Sequence, residues 1–156
     1  MKKNGFNAII DNNSKILILG SFPSVKSREI SFYYGNKQNR FWKMLEFTFN
    51  KKIEDNVDSK IKFLLSYNIA LWDIVKSSNI KNSDDKTLEK SNYELNQIDL
   101  LLKEFPNIKK IICNGKLAYE LVVNNFKLNI PVVYLTSTSP ANPRFKYELW
   151  KEEILK

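Results

Sequence analysis

Apolar residues along the chain fall into two patterns. The first is a short unbroken run: Lys15-Ile16-Leu17-Ile18-Leu19 before Gly20, Ile69-Ala70-Leu71-Trp72, Lys110-Ile111-Ile112-Cys113 before Asn114-Gly115, and Pro131-Val132-Val133-Tyr134-Leu135. Runs of this length, bounded by turn residues, predict strands buried on both faces. The second pattern is periodic. Asn39 to Phe49 carries Phe41, Trp42, Leu45 and Phe49; Asp58 to Tyr67 carries Ile61, Leu64 and Leu65; Asn96 to Phe105 carries Ile98, Leu101, Leu102 and Phe105 before Pro106. Steps of three and four residues put such side chains on one helical face, and proline stops the third helix. Two more helices are expected over Lys116 to Asn125 and Lys146 to Leu155.

Strands alternating with helices predict an α/β fold, a three-layer α/β/α sandwich around a central, mainly parallel four-stranded sheet. The chain has 156 residues and no repeat or obvious linker, so residues 1–156 are expected to form one domain. In such sheets ligands bind beyond the carboxyl ends of the strands. That rule selects Gly20-Ser21-Phe22-Pro23-Ser24, Trp72-Asp73, Asn114-Gly115 and Thr136 to Asn142, all rich in small or polar residues.

Composition then removes several chemistries. There is no histidine and one cysteine, Cys113. An intramolecular disulfide is impossible, and a Cys/His zinc site or a four-cysteine iron–sulfur cluster lacks ligands. Without imidazole there is no Ser-His-Asp or Cys-His catalysis. What remains is carboxylates, amides, hydroxyls, lysines and backbone groups. The net charge of +8 allows a polyanionic partner. Nearly all of it is lysine, however, and a chain also rich in asparagine and isoleucine can acquire lysine from genome composition alone. The start Met1-Lys2-Lys3 is not followed by an apolar signal core, and no apolar run is long enough to span a bilayer. A cytoplasmic protein with no membrane partner is expected.

Three segments could carry chemistry. Gly20 to Ser24 is an anion-binding turn or simply a tight turn off a buried strand; it has neither a Walker nor a dinucleotide glycine pattern. Ser31 to Trp42 places five aromatics among Lys37, Arg40 and two asparagines near its end. Aromatic faces stack nucleobases and neighbouring cations meet phosphates. Phe41 and Trp42 are expected in the core, whereas Tyr33 and Tyr34 precede the helix and are better placed to line a pocket. Asn39 is either a helix cap or an amide that orients a water or a base edge. Ser137 to Arg144 is stiffened by Pro140 and Pro143, and its hydroxyls and amides could cradle a phosphate or merely turn the chain.

In this order the motifs resemble those of the uracil-DNA glycosylase superfamily, and within it the deoxyinosine (hypoxanthine) DNA glycosylases. The resemblance rests on Gly20-Ser21-Phe22-Pro23-Ser24 with Ser27, Tyr33-Tyr34 through Asn39-x-Phe41-Trp42, Leu71-Trp72-Asp73, Asn114-Gly115 and Ser137-Thr138-Ser139-Pro140-Ala141-Asn142. It implies an enzyme of base excision repair that flips a deaminated nucleotide out of double-stranded DNA and hydrolyses its N-glycosidic bond. No metal, cofactor or covalent nucleophile is implied, and a monomer is expected. By the same resemblance Asn39 is the catalytic amide, because Phe22 stands where related enzymes carry a catalytic asparagine. Gly20, Ser21, Phe22, Tyr34, Asp73 and Asn114 form the base pocket, with Tyr34 stacking on the base. Asp73 is a second candidate for water activation, or a brace at the sheet edge. Pro23, Ser24, Ser137, Ser139, Pro140, Asn142 and Arg144 meet the DNA. The hypoxanthine branch commonly has proline at the position of Lys37 and a Gly-Ser pair at Asn82-Ser83, so this chain departs from it there. Competing expectations are a non-catalytic nucleic-acid-binding domain on the same fold and an unrelated small α/β protein.

Overall fold

The computed structural model describes residues 3–79 and 92–156; Asn82-Ser83 lie outside them. Four strands form a parallel sheet in the order β3-β2-β6-β7: β2 (Ile16–Gly20), β3 (Ile69–Asp73), β6 (Lys110–Asn114) and β7 (Val132–Leu135). Register is continuous, with Ile16 opposite Ile69 and Lys110, and Ile111 opposite Val132. The four apolar runs are these four strands, and every pairing between them is parallel.

The side-chain alternation of a strand explains why these runs are apolar throughout. Leu17, Leu19, Ala70, Ile111 and Cys113 face one buried cluster, with Ile98, Leu117, Leu121 and Val122. Ile18, Ile69, Leu71 and Ile112 face another, with Phe41, Met44, Leu45, Leu64, Trp150 and Ile154. Helices α4 (Ile98–Glu104) and α5 (Lys116–Asn125) therefore cover the first face. Helices α2 (Phe41–Phe49), α3 (Val57–Ser66) and α6 (Tyr147–Leu155) cover the second. This is the expected three-layer α/β/α arrangement.

Two additions lie outside the predicted pattern. A short helix α1 (Val25–Ile30) follows the first turn, capped by the Ser24 hydroxyl, which accepts from the Ser27 amide. A small antiparallel sheet pairs β4 (Val75–Ser78) with β1 (Lys3–Asn4) and β5 (Tyr93–Leu95). Among the described residues no helix is long and apolar enough to cross a membrane.

Candidate active site

All four strands of the parallel sheet run the same way, so the segments after them meet at one end. Between them lies a cleft of about 870 Å³. Every residue expected at the site lines it: Gly20, Ser21, Phe22, Pro23, Ser24, Tyr34, Asn39, Asp73, Asn114, Ser137, Ser139, Pro140, Asn142 and Arg144.

The floor is built from strand ends. Gly20 closes β2 and sits so close to Asp73 that an added Cβ would lie 2.5 Å from Asp73 Oδ1 and 3.0 Å from the Tyr34 hydroxyl. Any side chain here would fill the floor. Asp73 closes β3 and is only 4% exposed; its carbonyl accepts from the buried amide of Asn96 at 2.7 Å, and its Oδ2 has no hydrogen-bond partner. Burial pushes the carboxyl up to about 7, because the ionised form loses its hydration. The hydroxyls of Tyr33 and Tyr34 are raised above their usual range, first by burial and then by the neighbouring Asp73, so both stay neutral.

Asn114 closes β6 and acts as a clamp. Its Nδ2 donates to the Tyr34 hydroxyl (3.1 Å) and to Thr138 Oγ1 (3.0 Å), while its Oδ1 accepts from the Thr138 amide (3.0 Å). The side chain thus ties the aromatic segment to the last loop. Next to it Gly115 adopts φ +100°, a conformation that favours glycine.

The walls come from the two loop segments. Tyr34, at φ +51°, stacks on Phe41 with 4.1 Å between ring centroids and lines the cleft. Tyr33 also reaches the cleft, but it is 3% exposed and its hydroxyl donates to the Asn7 carbonyl at 2.8 Å. Phe41 and Trp42 are core residues, as expected. Asn39 stands one residue before Arg40, the N-cap of α2, and is therefore not the cap itself; its Oδ1 accepts from the Phe41 amide (2.9 Å), and the half-buried side chain lines the cleft.

The last loop is held by its own hydrogen bonds. Ser137 Oγ accepts from the Ser139 amide, and Ser139 Oγ accepts from the Ala141 amide. Asn142 donates from Nδ2 to the Ser137 carbonyl and accepts at Oδ1 from the Arg144 amide, so its amide group shapes the loop. Arg144 is exposed at the rim, as is Lys116 across the cleft. A cationic rim therefore surrounds a floor that holds one carboxyl group.

Arg40, read from the sequence as a cation among aromatics that could meet phosphates, instead spends its guanidinium on organising this loop. Its guanidinium donates to the carbonyls of Ser139, Asn142 (2.8 Å) and Thr138 (3.5 Å), and lies over the Phe145 ring at 4.5 Å. Its backbone amide adds a bond to the Thr138 carbonyl. An arginine between an asparagine and two aromatics gives no sequence signal of partners about a hundred residues away.

A model of the "Uracil DNA glycosylase superfamily" matches residues 8–156. The chain belongs to the uracil DNA glycosylase superfamily. Among curated superfamily relatives, a hypoxanthine DNA glycosylase of Methanosarcina acetivorans is 35% identical over 148 residues, covering 93% of this chain and 91% of that protein. One of the same name from Methanosarcina barkeri is 33% identical over 145 residues, covering 92% and 90%. The solution NMR structure of a candidate uracil DNA glycosylase from Methanosarcina acetivorans superposes with a TM-score of 0.82 at 33% identity, covering 99% of this chain and 97% of that one. The superfamily resemblance read from the motifs holds, and within it the likeness to the hypoxanthine enzymes. The protein is a DNA N-glycosylase, a hydrolase of N-glycosyl bonds.

Proposed function

We propose that this glycosylase removes deaminated bases from double-stranded DNA, hypoxanthine first, with uracil and xanthine as further members of the same class. Residues 1–156 act as one unit, as a monomer in the cytoplasm. The observation that carries the reading is the placement of Asn39: an amide fixed by the α2 amide of Phe41, in the cleft beside Tyr34.

The chemistry suits this residue set. As the N-glycosidic bond stretches, the sugar gains oxocarbenium character, so even a weak nucleophile such as neutral water can add. Asn39 orients that water: Oδ1 is held by the helix amide and keeps a second lone pair, while Nδ2 is a donor. The departing base gains negative charge, which preorganised neutral donors stabilise in a pocket shielded from water. Tyr34 is held neutral and accepts from Asn114, so its own proton remains available as such a donor. Its ring stacks on the flipped base. Gly20, Ser21 and Phe22 close the pocket, with Asp73 and Asn114 on its floor.

The Ser137 and Ser139 oxygens accept from loop amides, and each hydroxyl keeps its O–H to donate to a phosphate. Arg144 adds charge at the rim, and Pro23, Pro140 and Asn142 give the contact surface its shape. Ser24 is engaged with Ser27, so it meets DNA through its backbone.

The test is excision from duplexes containing inosine, uracil or xanthine, read as alkali-labile breaks. Release of hypoxanthine by the wild type, and its loss in Asn39→Ala with duplex affinity kept within about threefold, is the expected result. Full cleavage by Asn39→Ala overturns the catalytic assignment; absence of breaks with all three bases overturns the substrate reading.

A further inference from the structure

Among the described residues three side chains hold buried polar atoms with no hydrogen-bond partner: Arg28, Asp73 and Ser77. Of the three, only the Arg28 guanidinium keeps its charge at every pH a protein meets. Its Nε and Nη2 are both unpaired, and none of the ion pairs among the described residues includes it. What it does meet is the ring of Phe22, with Cζ over the ring at 5.7 Å from the centroid. Burying donors without partners is costly, and folds rarely leave them so. An apolar side chain of similar size would escape that cost in the same place. Arginine here therefore answers to something other than stability.

Its surroundings say to what. Phe22 is 8% exposed and lines the cleft at the turn after β2. A Cβ placed on Gly5 would lie 3.7 Å from Phe22 Cε1, so the amino-terminal segment packs close to the ring while the cation sits over its face. Helix α1, which carries Arg28, is also tied to the other aromatic wall. Ser27 Oγ accepts from the Gly35 amide at 2.8 Å, and the Ser27 carbonyl accepts from the Phe32 amide at 3.0 Å. A Cβ on Gly35 would lie 3.1 Å from Ser27 Cα, so the backbone next to Tyr34 rests directly on the helix. One short helix thus holds Tyr34 through its neighbour and Phe22 through Arg28.

We infer that Arg28 is a positioning residue: its guanidinium fixes the Phe22 ring in the cleft wall, in register with Tyr34, and so sets the shape of the base pocket. This rests on the glycosylase reading above. A cation over an aromatic face is attracted to it, and more strongly where water is excluded. Without the cation the ring gains freedom at χ1 and χ2, and a small displacement of a pocket wall is expensive in rate. The unpaired donors fit this role. A carboxylate partner would neutralise the charge and compete with the ring for the guanidinium.

The experiment compares wild type, Arg28→Met, Phe22→Leu and the double variant by thermal melts and by single-turnover excision from an inosine duplex. Arg28→Met should melt no lower than the wild type, because two unpaired donors are removed for the loss of one ring contact. Its excision rate should nevertheless fall roughly tenfold, the scale of one desolvated cation–π contact, with duplex affinity kept within about threefold. In the Phe22→Leu background the same change should leave the rate unaltered, since a residue acting through the ring has nothing left to act on. A melting midpoint lowered in Arg28→Met, or a variant that does not fold, makes the residue a plain support of the fold and overturns the proposal. An unchanged excision rate overturns it too, as does the same tenfold loss in both backgrounds. The melts decide without any activity: Arg28→Met should raise the midpoint more in Phe22→Leu, where the cation has lost its ring, than in the wild type, and equal shifts overturn the contact. Absence of wild-type breaks with inosine, uracil and xanthine sinks the substrate reading, whereas wild-type excision that Arg28→Met leaves intact sinks only the role of Arg28.

Discussion

Asp73 shows how much one residue can be asked to reconcile. A carboxylate made nearly inaccessible to water costs the folded state, and here the cost is visible as a carboxyl pushed up to about 7 by burial. The groups facing it that titrate, Tyr33 and Tyr34, are themselves raised and stay neutral, so they neither offset nor vary this effect. A carboxyl raised on folding contributes no penalty below its unfolded value near 4, where both states hold the proton. The penalty grows as pH rises toward 7 and is complete above it. Asp73→Asn should therefore match the wild-type unfolding midpoint at pH 4 and exceed it by several degrees at pH 8, a difference on the order of a few kcal/mol. Thermal melts across that range check the sign; a midpoint that falls in the variant at pH 8 contradicts it. The motif order marked Asp73 as a site residue, but not that its oxygen would lack a partner. Likewise Asn114 and Asn142 were legible as site residues, whereas the hydrogen bonds that use up their amide groups depend on the fold.

At the level of elements, the long apolar runs and the periodic segments were readable because burial on two faces, or on one, writes itself into hydropathy. The segments of β1, β4 and β5 were not. They are two to four residues long and mix polar side chains with apolar ones, as Val75-Lys76-Ser77-Ser78 does. Their pairing is set by backbone groups such as the Gly5 amide donating to the Lys76 carbonyl. The loop after β7 is a similar case, since its shape depends on Arg40 and on Trp150, whose Nε1 donates to the Thr136 carbonyl. Arg40→Ala should lower stability by about 1–3 kcal/mol, the scale of losing hydrogen bonds to a charged group, and weaken duplex binding because the loop loses its shape. Arg40→Lys should recover little, since one ammonium cannot span carbonyls that a planar guanidinium bridges. Denaturant titrations of the two variants, paired with duplex affinities, test this; wild-type behaviour in Arg40→Ala removes the loop's dependence on it.

For the whole molecule, the parallel sheet is the reason that residues from Gly20 to Arg144 share one cleft, and its polarity was foreseeable from strand–helix alternation. The value of the +8 charge was not, because a net count does not say where lysines point. With DNA as substrate, the salt dependence of binding reports only the phosphates contacted. Arg144→Ala should reduce the slope of log affinity against log salt by roughly 0.9, while neutralising the exposed Lys127, which lies away from the cleft, should leave the slope unchanged. Equal effects from both would mean that the whole surface, and not the rim, meets DNA.

The middle position of β2 has one more consequence. Its partners stand roughly fifty and ninety residues further along the chain, as the pairings of Ile16 with Ile69 and Lys110 require. On a ribosome adding about 5–20 residues per second, this apolar strand emerges first of the four in the parallel sheet and waits roughly 5–20 seconds before both neighbours exist. During synthesis a strand that the finished enzyme buries on both faces is thus the longest unprotected of the four, and the one most in need of a chaperone's cover.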